Sequence, residues 1–344
     1  MKILRLLFFS LFLVLSMGGL KARDIHFTMY NMSPLTLNPA LAGSYYGTAR
    51  VGAIYRDQWA SFLRDQFTTP AFFIDAPIVR GFRKNDWVGI GIITVNDKAG
   101  SANLRTQGSL LTAAYHASLD KKGKNVLTLG IQAGSVTRRL NQDKLTFEDG
   151  YKIQGGQYNY TGQSQDNSLA EKKSYLDINA GLLLRSAVDE NNNVEVGLAF
   201  GHIPQSEYNL ITRGAGGDDN NRPITITAHG RWKRQVTDQW SITPSFITQT
   251  TKGTFEIGIQ GLAGYQINED IELLAGPGYR LGDAIEVMIG AQINDLRVGL
   301  AYDFNISSLN EATNTLGGFE LGAYYVIKLF QKPTVKQAII CPEF

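Results

Sequence analysis

The sequence predicts a closed antiparallel outer-membrane β-barrel of about fourteen strands, with a short amino-terminal segment that plugs it or lines its rim. Three observations carry this expectation. From about residue 48 to residue 329, apolar and polar residues alternate with period two, which marks strands with one apolar face. The runs are about ten to fourteen residues long, against roughly five or six in soluble sheets and about nine to eleven for a tilted strand crossing a bilayer. Several runs also set an aromatic near one end of the apolar face (Tyr55, Tyr115, Phe200, Tyr265, Tyr279, Phe304, Tyr325), where the interfacial girdles of such barrels lie.

The first element is an address. Lys2 and Arg5 precede an apolar stretch from Leu6 to Met17, and Gly18, Gly19 and Ala22 follow, which reads as a secretory signal over 1–22. The apolar stretch falls short of the roughly twenty residues of a spanning helix. Residues 23–46 are too irregular to span and, with Phe27, Met29, Tyr30, Leu35 and Leu37, too apolar to float free. They are expected in the barrel mouth or lumen, or at the periplasmic rim. Asn38-Pro39 and Ala42-Gly43-Ser44 supply turn chemistry there, because proline fixes φ and glycine allows positive φ.

The barrel itself is expected over 47–330, with strands at 48–57, 66–76, 86–95, 105–118, 125–137, 174–187, 193–203, 222–235, 239–250, 253–266, 269–280, 282–292, 294–306 and 315–329. Leu176, Ile178, Ala180, Leu182 and Leu184 alternating with Asp177, Asn179, Gly181 and Arg185 show the pattern. The count is even, as single-chain bacterial barrels require. The two longest connections, 138–173 and 204–221, both fall at odd positions and so at one end. The even connections are mostly short turns. This places both termini in the periplasm. Bulky inward residues (Ile93, Leu183, Leu262, Leu274, Met288) argue for a filled lumen, and strands of this length argue against a soluble sandwich.

The tail, 331–344, leaves through Lys332-Pro333 and ends in Ile339-Ile340-Cys341-Pro342-Glu343-Phe344. A short apolar end suggests docking on the periplasmic face or on a periplasmic partner, which makes Ile340, Cys341 and Phe344 candidate contact residues. Cys341 is the only cysteine, so an intrachain disulfide and a multi-cysteine metal site are excluded. Lys and Arg total 33 against 31 for Asp and Glu, a net charge of +2, without the clustered basic excess of a nucleic-acid binder.

Candidate chemistry is sparse. Gly258, Gly261 and Gly264 imitate a dinucleotide loop, but they lie inside a strand with no helix following. His26, His116, His202 and His229 have no metal-binding spacing. Glu195, Glu256, Glu272, Glu286, Glu320, Arg185, Arg280 and Arg297 are expected on the lumen side, bracing it as pairs rather than doing acid–base work. No catalytic residue, cofactor or metal is expected, and the chain does not read as an enzyme. In loop 138–173, Tyr151, Tyr158 and Tyr160 lie among Asn, Gly and Gln, a composition that suits recognition of protein or glycan and equally a plain solvated loop. Asp218-Asp219-Asn220-Asn221 reads as a turn, since calcium-loop spacing is missing.

After the signal the chain reads Asp24-x-x-Phe27-Thr28-x-Tyr30, then Asn38-Pro39-Ala40-Leu41-Ala42-Gly43, then Tyr55-Arg56-Asp57-Gln58-Trp59, and it ends Cys341-Pro342-Glu343-Phe344. In these elements it resembles the PorP/SprF family of outer-membrane proteins from the type IX secretion and gliding machinery of the Bacteroidota. Arg23 departs from the glutamine with which relatives often begin. The resemblance implies a role in exporting, retaining or displaying surface proteins such as adhesins, together with periplasmic or outer-membrane secretion subunits. It marks Asn38, Pro39, Ala40, Gly43, Tyr55, Arg56, Gln58 and Trp59 as family-motif positions. The motif's own chemistry leaves two roles open, sealing the barrel or binding a partner. The alternative function is a transport barrel, either a solute channel or a carrier of hydrophobic compounds.

Overall fold

The computed structural model describes residues 26–60, 66–80, 85–145, 150–154, 157–160, 170–210, 220–308 and 310–329. Its strands are β1 (Ala49–Gln58), β2 (Phe67–Arg80), β3 (Trp87–Ala99), β4 (Leu104–Ser118), β5 (Asn125–Arg139), β6 (Tyr151–Gln154), β7 (Gln157–Tyr160), β8 (Lys172–Ala187), β9 (Asn192–Gly201), β10 (Thr225–Gln235), β11 (Trp240–Thr251), β12 (Thr254–Asn268), β13 (Ile271–Arg280), β14 (Ala284–Ile293), β15 (Leu296–Asn305) and β16 (Leu316–Ile327). Fourteen of them close an antiparallel barrel in chain order, and β6 and β7 form a separate two-stranded sheet. The seam joins β1 to β16, from Ala49 opposite Ile327 to Gln58 opposite Gly318. Closure leaves no unpaired edge, the condition for strands in lipid.

The strands match the expected spans to within three residues at each end, apart from two larger differences. The second and third strands run on to Arg80 and Ala99. Pro77, just past the expected end at 76, sits at a register shift between Pro77 and Val79, where a missing N–H is tolerated. Within the segment read as loop 138–173, a hairpin pairs Tyr151 with Tyr160 and Ile153 with Tyr158.

The connections β1–β2, β5–β8 and β9–β10 lie at one end of the barrel, here the loop end. The connections after β2, β4, β8, β10, β12 and β14 lie at the other, the turn end. Every barrel strand carries an exposed apolar stretch on its outward face, and these form a band with Leu111, Leu129, Ile259, Ile289 and Leu321 among its residues. That band is the lipid face. Inside, Ile54, Phe73, Ile93, Leu183 and Met288 are buried against Phe27, Met29, Met32, Leu35 and Leu41 of the amino-terminal segment.

Candidate functional site

The lumen is filled by the chain's own residues 26–45. His26 Nε2 lies 3.0 Å from Arg280 Nη1 at the loop end of β13, and Ser44 accepts from Arg185 Nη1, near the turn end of β8, through both its carbonyl and its hydroxyl. The segment therefore runs the length of the barrel before turning into β1, so His26 lies at the opposite end from Ile327, whereas the sequence predicts both ends of the chain on one side.

Its first anchor is a buried charge cluster. Thr28 and Met29 donate their backbone N–H groups to Glu320 at 2.7 and 2.8 Å. The Thr28 hydroxyl donates to Asp303 at 2.6 Å, and its carbonyl accepts from Gln260 at 2.7 Å. Arg56 bonds Glu320, Asp303 and the Thr28 hydroxyl. Arg280 bonds Asp303 at 2.9 Å, Glu286 at 2.8 Å and Thr28 at 3.1 Å. Two guanidinium groups thus bridge three carboxylates and offset two of their charges, while the remaining lone pairs accept from the segment and from Gln260.

The second anchor is a turn of 3-10 helix, Pro39–Leu41, capped by Asn38, whose Oδ1 accepts from the Ala40 N–H at 2.9 Å. The Asn38 amide reaches the carbonyls of Leu182 and Leu198 and His229 Nε2. Backbone approach here is so close that a Cβ on Gly130 would lie 2.4 Å from Ala40 N, and one on Gly89 2.0 Å from the Ala42 carbonyl oxygen. Gly43, at φ +67°, donates its N–H to Asp75 and accepts from Trp87 Nε1. Arg50 holds Asp75 through two 2.9 Å bonds. His116 contacts the Ala42 carbonyl, and Gln132 donates to that of Leu35.

The motif positions therefore divide by destination. Asn38, Pro39, Ala40, Gly43 and Arg56 belong to the lumen contact. Tyr55 faces outward, half-exposed, with its hydroxyl 3.2 Å from Asp57. Gln58 ends β1, and Trp59, at φ +64°, donates its N–H to the Gly317 carbonyl and meets Phe67 edge-on at 5.1 Å. Of the lumen pairs expected from sequence, Arg280 meets Glu286 and Glu256, and Arg185 meets Glu195, which Arg231 joins. Asp303 completes the cluster and Asp75 the Arg50 contact, and their only signal in the sequence is a polar position in an alternating strand.

Tyr151 and Ile153 project from the hairpin, 45% and 66% exposed. Tyr158 and Tyr160 face them across the register. Ile340, Cys341 and Phe344, like the signal over 1–22, lie outside the described residues. At the loop end the 202–210 stretch turns in over the lumen. His202 Nδ1 sits 2.8 Å from Asp177, and Arg138 donates to the Tyr208 carbonyl while lying over its ring. The Glu207 carboxyl, held by Lys173 at 2.7 Å, is pulled below its ordinary range by that bond and that charge.

A gap of about 40 Å³ remains beside the segment, between Met29, Met32, Leu262 and Met288. A larger concavity of about 650 Å³ lies on the outer wall between Trp232, Phe246 and Tyr279, floored by Gly230, Pro244, Gly261 and Pro277. Beneath it the ladders are interrupted between the Arg231–Ser245 and Arg234–Ile242 pairs and between Gln260–Gly278 and Ala263–Ala275. Proline supplies no N–H to a ladder, so Pro244 and Pro277 weaken the wall here. Tyr30, bonded to Ser245, closes it from inside.

A family profile described as "Type IX secretion system membrane protein PorP/SprF" matches residues 19–325. No curated protein sequence matches the chain. Among solved structures it is similar to the toluene transporter TbuX of Ralstonia pickettii, at 13% identity over 92% of this chain and 97% of that one, with a TM-score of 0.51. It is similar to the CymD monoaromatic hydrocarbon channel at 10% identity, 92% and 97% coverage and a TM-score of 0.50. The Pseudomonas putida toluene transporter TodX matches at 10% identity, 91% and 96% coverage and a TM-score of 0.50. At such identities the likeness is one of fold.

Proposed function

The chain belongs to the PorP/SprF family of type IX secretion system membrane proteins, and from that premise we propose that it supports secretion or surface attachment of cargo, adhesins included, through protein–protein contacts rather than catalysis. The observation that carries the reading is the filled lumen. A segment bonded to at least seven barrel strands occupies the bore among the described residues, so partners have the two ends of the barrel to work with. In this reading the turn end and the carboxy-terminal tail face the periplasm, where secretion subunits meet Ile340, Cys341 and Phe344. The loop end faces outward, where the hairpin offers Tyr151 and Ile153 to cargo; rigid aromatic residues make contact area at low entropic cost.

Purification from native outer membrane in mild detergent, followed by mass spectrometry, tests this. A co-purifying adhesin or secretion subunit that is lost when Tyr151 and Ile153 become serine, or when 336–344 are deleted, supports the proposal. A barrel that stays solitary and conducts ions in planar bilayers overturns it.

One observation favours the second reading, a carrier of hydrophobic compounds: the apolar concavity over the interrupted ladders at Pro244 and Pro277. A lateral path there would require Tyr30 and Thr28 to withdraw, so accumulation of an apolar compound that rises on deletion of 26–44 would favour the carrier.

A further inference from the structure

The barrel is taller on one side. Strands β4, β5 and β8 have 15, 15 and 16 residues, whereas β13, β14 and β15 have 10 each. The extra length lies at the loop end, and the outward side chains there change in rows. Ile92, Leu111, Ala133 and Ile178 stand opposite one another and form the last apolar row. Two residues further on come Thr94, Ser109, Ser135 and Leu176, and then Asn96, Gln107, Thr137 and Ser174. The outermost row is Lys98, Arg105, Arg139 and Lys172, in direct register across β3, β4, β5 and β8.

Like charges placed directly opposite destabilise a sheet. Other rim cations are matched: Lys173 pairs with Glu207, Lys233 with Glu272 and Lys328 with Asp295. Among the described residues, no carboxylate lies within ion-pair distance of any of the four. Nothing among the described residues offsets the repulsion along the row, and an external anion relieves it.

Position identifies the anion. The row is on the same outward side of the wall as the apolar band, above it. Three row steps of about 6.6 Å along strands tilted by roughly 40° put it about 15 Å above the last apolar row. Lysine and arginine side chains reach several ångströms back toward that boundary. Adjacent strands about 4.8 Å apart spread the four charges over roughly 14 Å, room for two phosphate groups. We propose that Lys98, Arg105, Arg139 and Lys172 form a binding site for the phosphates of anionic lipid headgroups in the leaflet at the loop end. An acidic protein would have no need of the lipid-facing side.

The test compares the wild-type barrel with a K98Q/R105Q/R139Q/K172Q variant in zwitterionic detergent. The probe is bis-phosphorylated lipid A, with dephosphorylated lipid A as control. The wild type should retain the phosphorylated lipid in native mass spectrometry and gain several degrees in its unfolding midpoint. The variant should lose at least tenfold in retention, yet without lipid unfold no earlier than the wild type, because its repulsion is gone. Lys98→Arg with Lys172→Arg should bind as the wild type does. If the four-fold variant does not fold, the central pair R105Q/R139Q should give an intermediate loss. Equal retention by wild type and variant, or equal response to both lipids, overturns the proposal. So does loss of an acidic protein partner from the variant with lipid retention unchanged.

Discussion

Asn38 Nδ2 lies 3.1 Å from His229 Nε2 and shares its two hydrogens between that nitrogen and the Leu182 and Leu198 carbonyls, at 3.1 and 3.4 Å, on the two neighbouring strands. An amide nitrogen only donates, so His229 accepts at Nε2 and carries its proton at Nδ1. One plug side chain thus bonds three strands and caps its own helical turn.

Replacing Asn38 with alanine should cost about 1–3 kcal/mol locally, the range for leaving buried partners unmet. The readout is amide exchange: the Ala40 N–H, capped by Asn38 Oδ1, should lose about tenfold or more of its protection while the strands keep theirs. Unchanged protection at Ala40 would show that the cap does not hold the segment.

Gly130→Ala should displace the plug and leave the wall standing. The new Cβ would meet backbone, Ala40 N at 2.4 Å and the Pro39 carbonyl carbon at 2.5 Å, and backbone cannot rotate away. The barrel should still migrate as a compact species on unheated gels, while planar-bilayer recordings show conductance that the wild type lacks. A silent, folded Gly130→Ala barrel would sink the idea that this contact seats the segment.

Arg56→Met tests the charge cluster. It leaves Asp303 and Glu320, both almost fully buried, with Arg280 as the only remaining arginine in the cluster. Removing one member of such a network costs about 3–5 kcal/mol, so the urea midpoint should fall clearly. Adding Glu320→Gln should recover part of the loss, since one uncompensated charge goes with it.

The β4–β5 turn supplies a pH prediction. Burial opposes ionisation of Asp120, but the N–H groups of Lys124, Asn125 and Lys122 and the Asn125 amide outweigh it and pull the carboxyl down to about 2. A folded-state value below the unfolded one of about 3.9 gives stability that is complete above that range and fades as pH falls from about 4 to 2. Wild type and Asp120→Asn should therefore differ in urea midpoint at pH 7 and converge at pH 2.

The wall was legible in the sequence because a barrel strand writes its environment on every second residue. Leu176 to Leu184 against Asp177 to Arg185 states both faces at once. The count of fourteen followed, as did the placing of both long loops at one end. The hairpin of β6 and β7 was not legible: its strands have four residues each, too few for alternation to stand out from polar loop. The path of residues 26–45 was hidden for a different reason. Its partners, Gly89, Gly130, Leu182, His229 and Glu320, are scattered over the chain, and nothing local marks a strand glycine as a seat for backbone. Arg56 could be read as a motif position, while its hold on Thr28 emerges only when β1, β15 and β16 are side by side.

The path of that segment, in at the loop end beside Arg280 and out at the turn end beside Arg185, makes the molecule a thread inside a ring of which the thread is also the first link. Once Ala49 pairs with Ile327, the thread cannot enter sideways; either the ring shuts around it or its free end is drawn up the bore. The β1–β16 seam is then the natural last step of assembly. A rigid, folded cargo fused ahead of His26 would be stranded on whichever side it occupied when that seam shut.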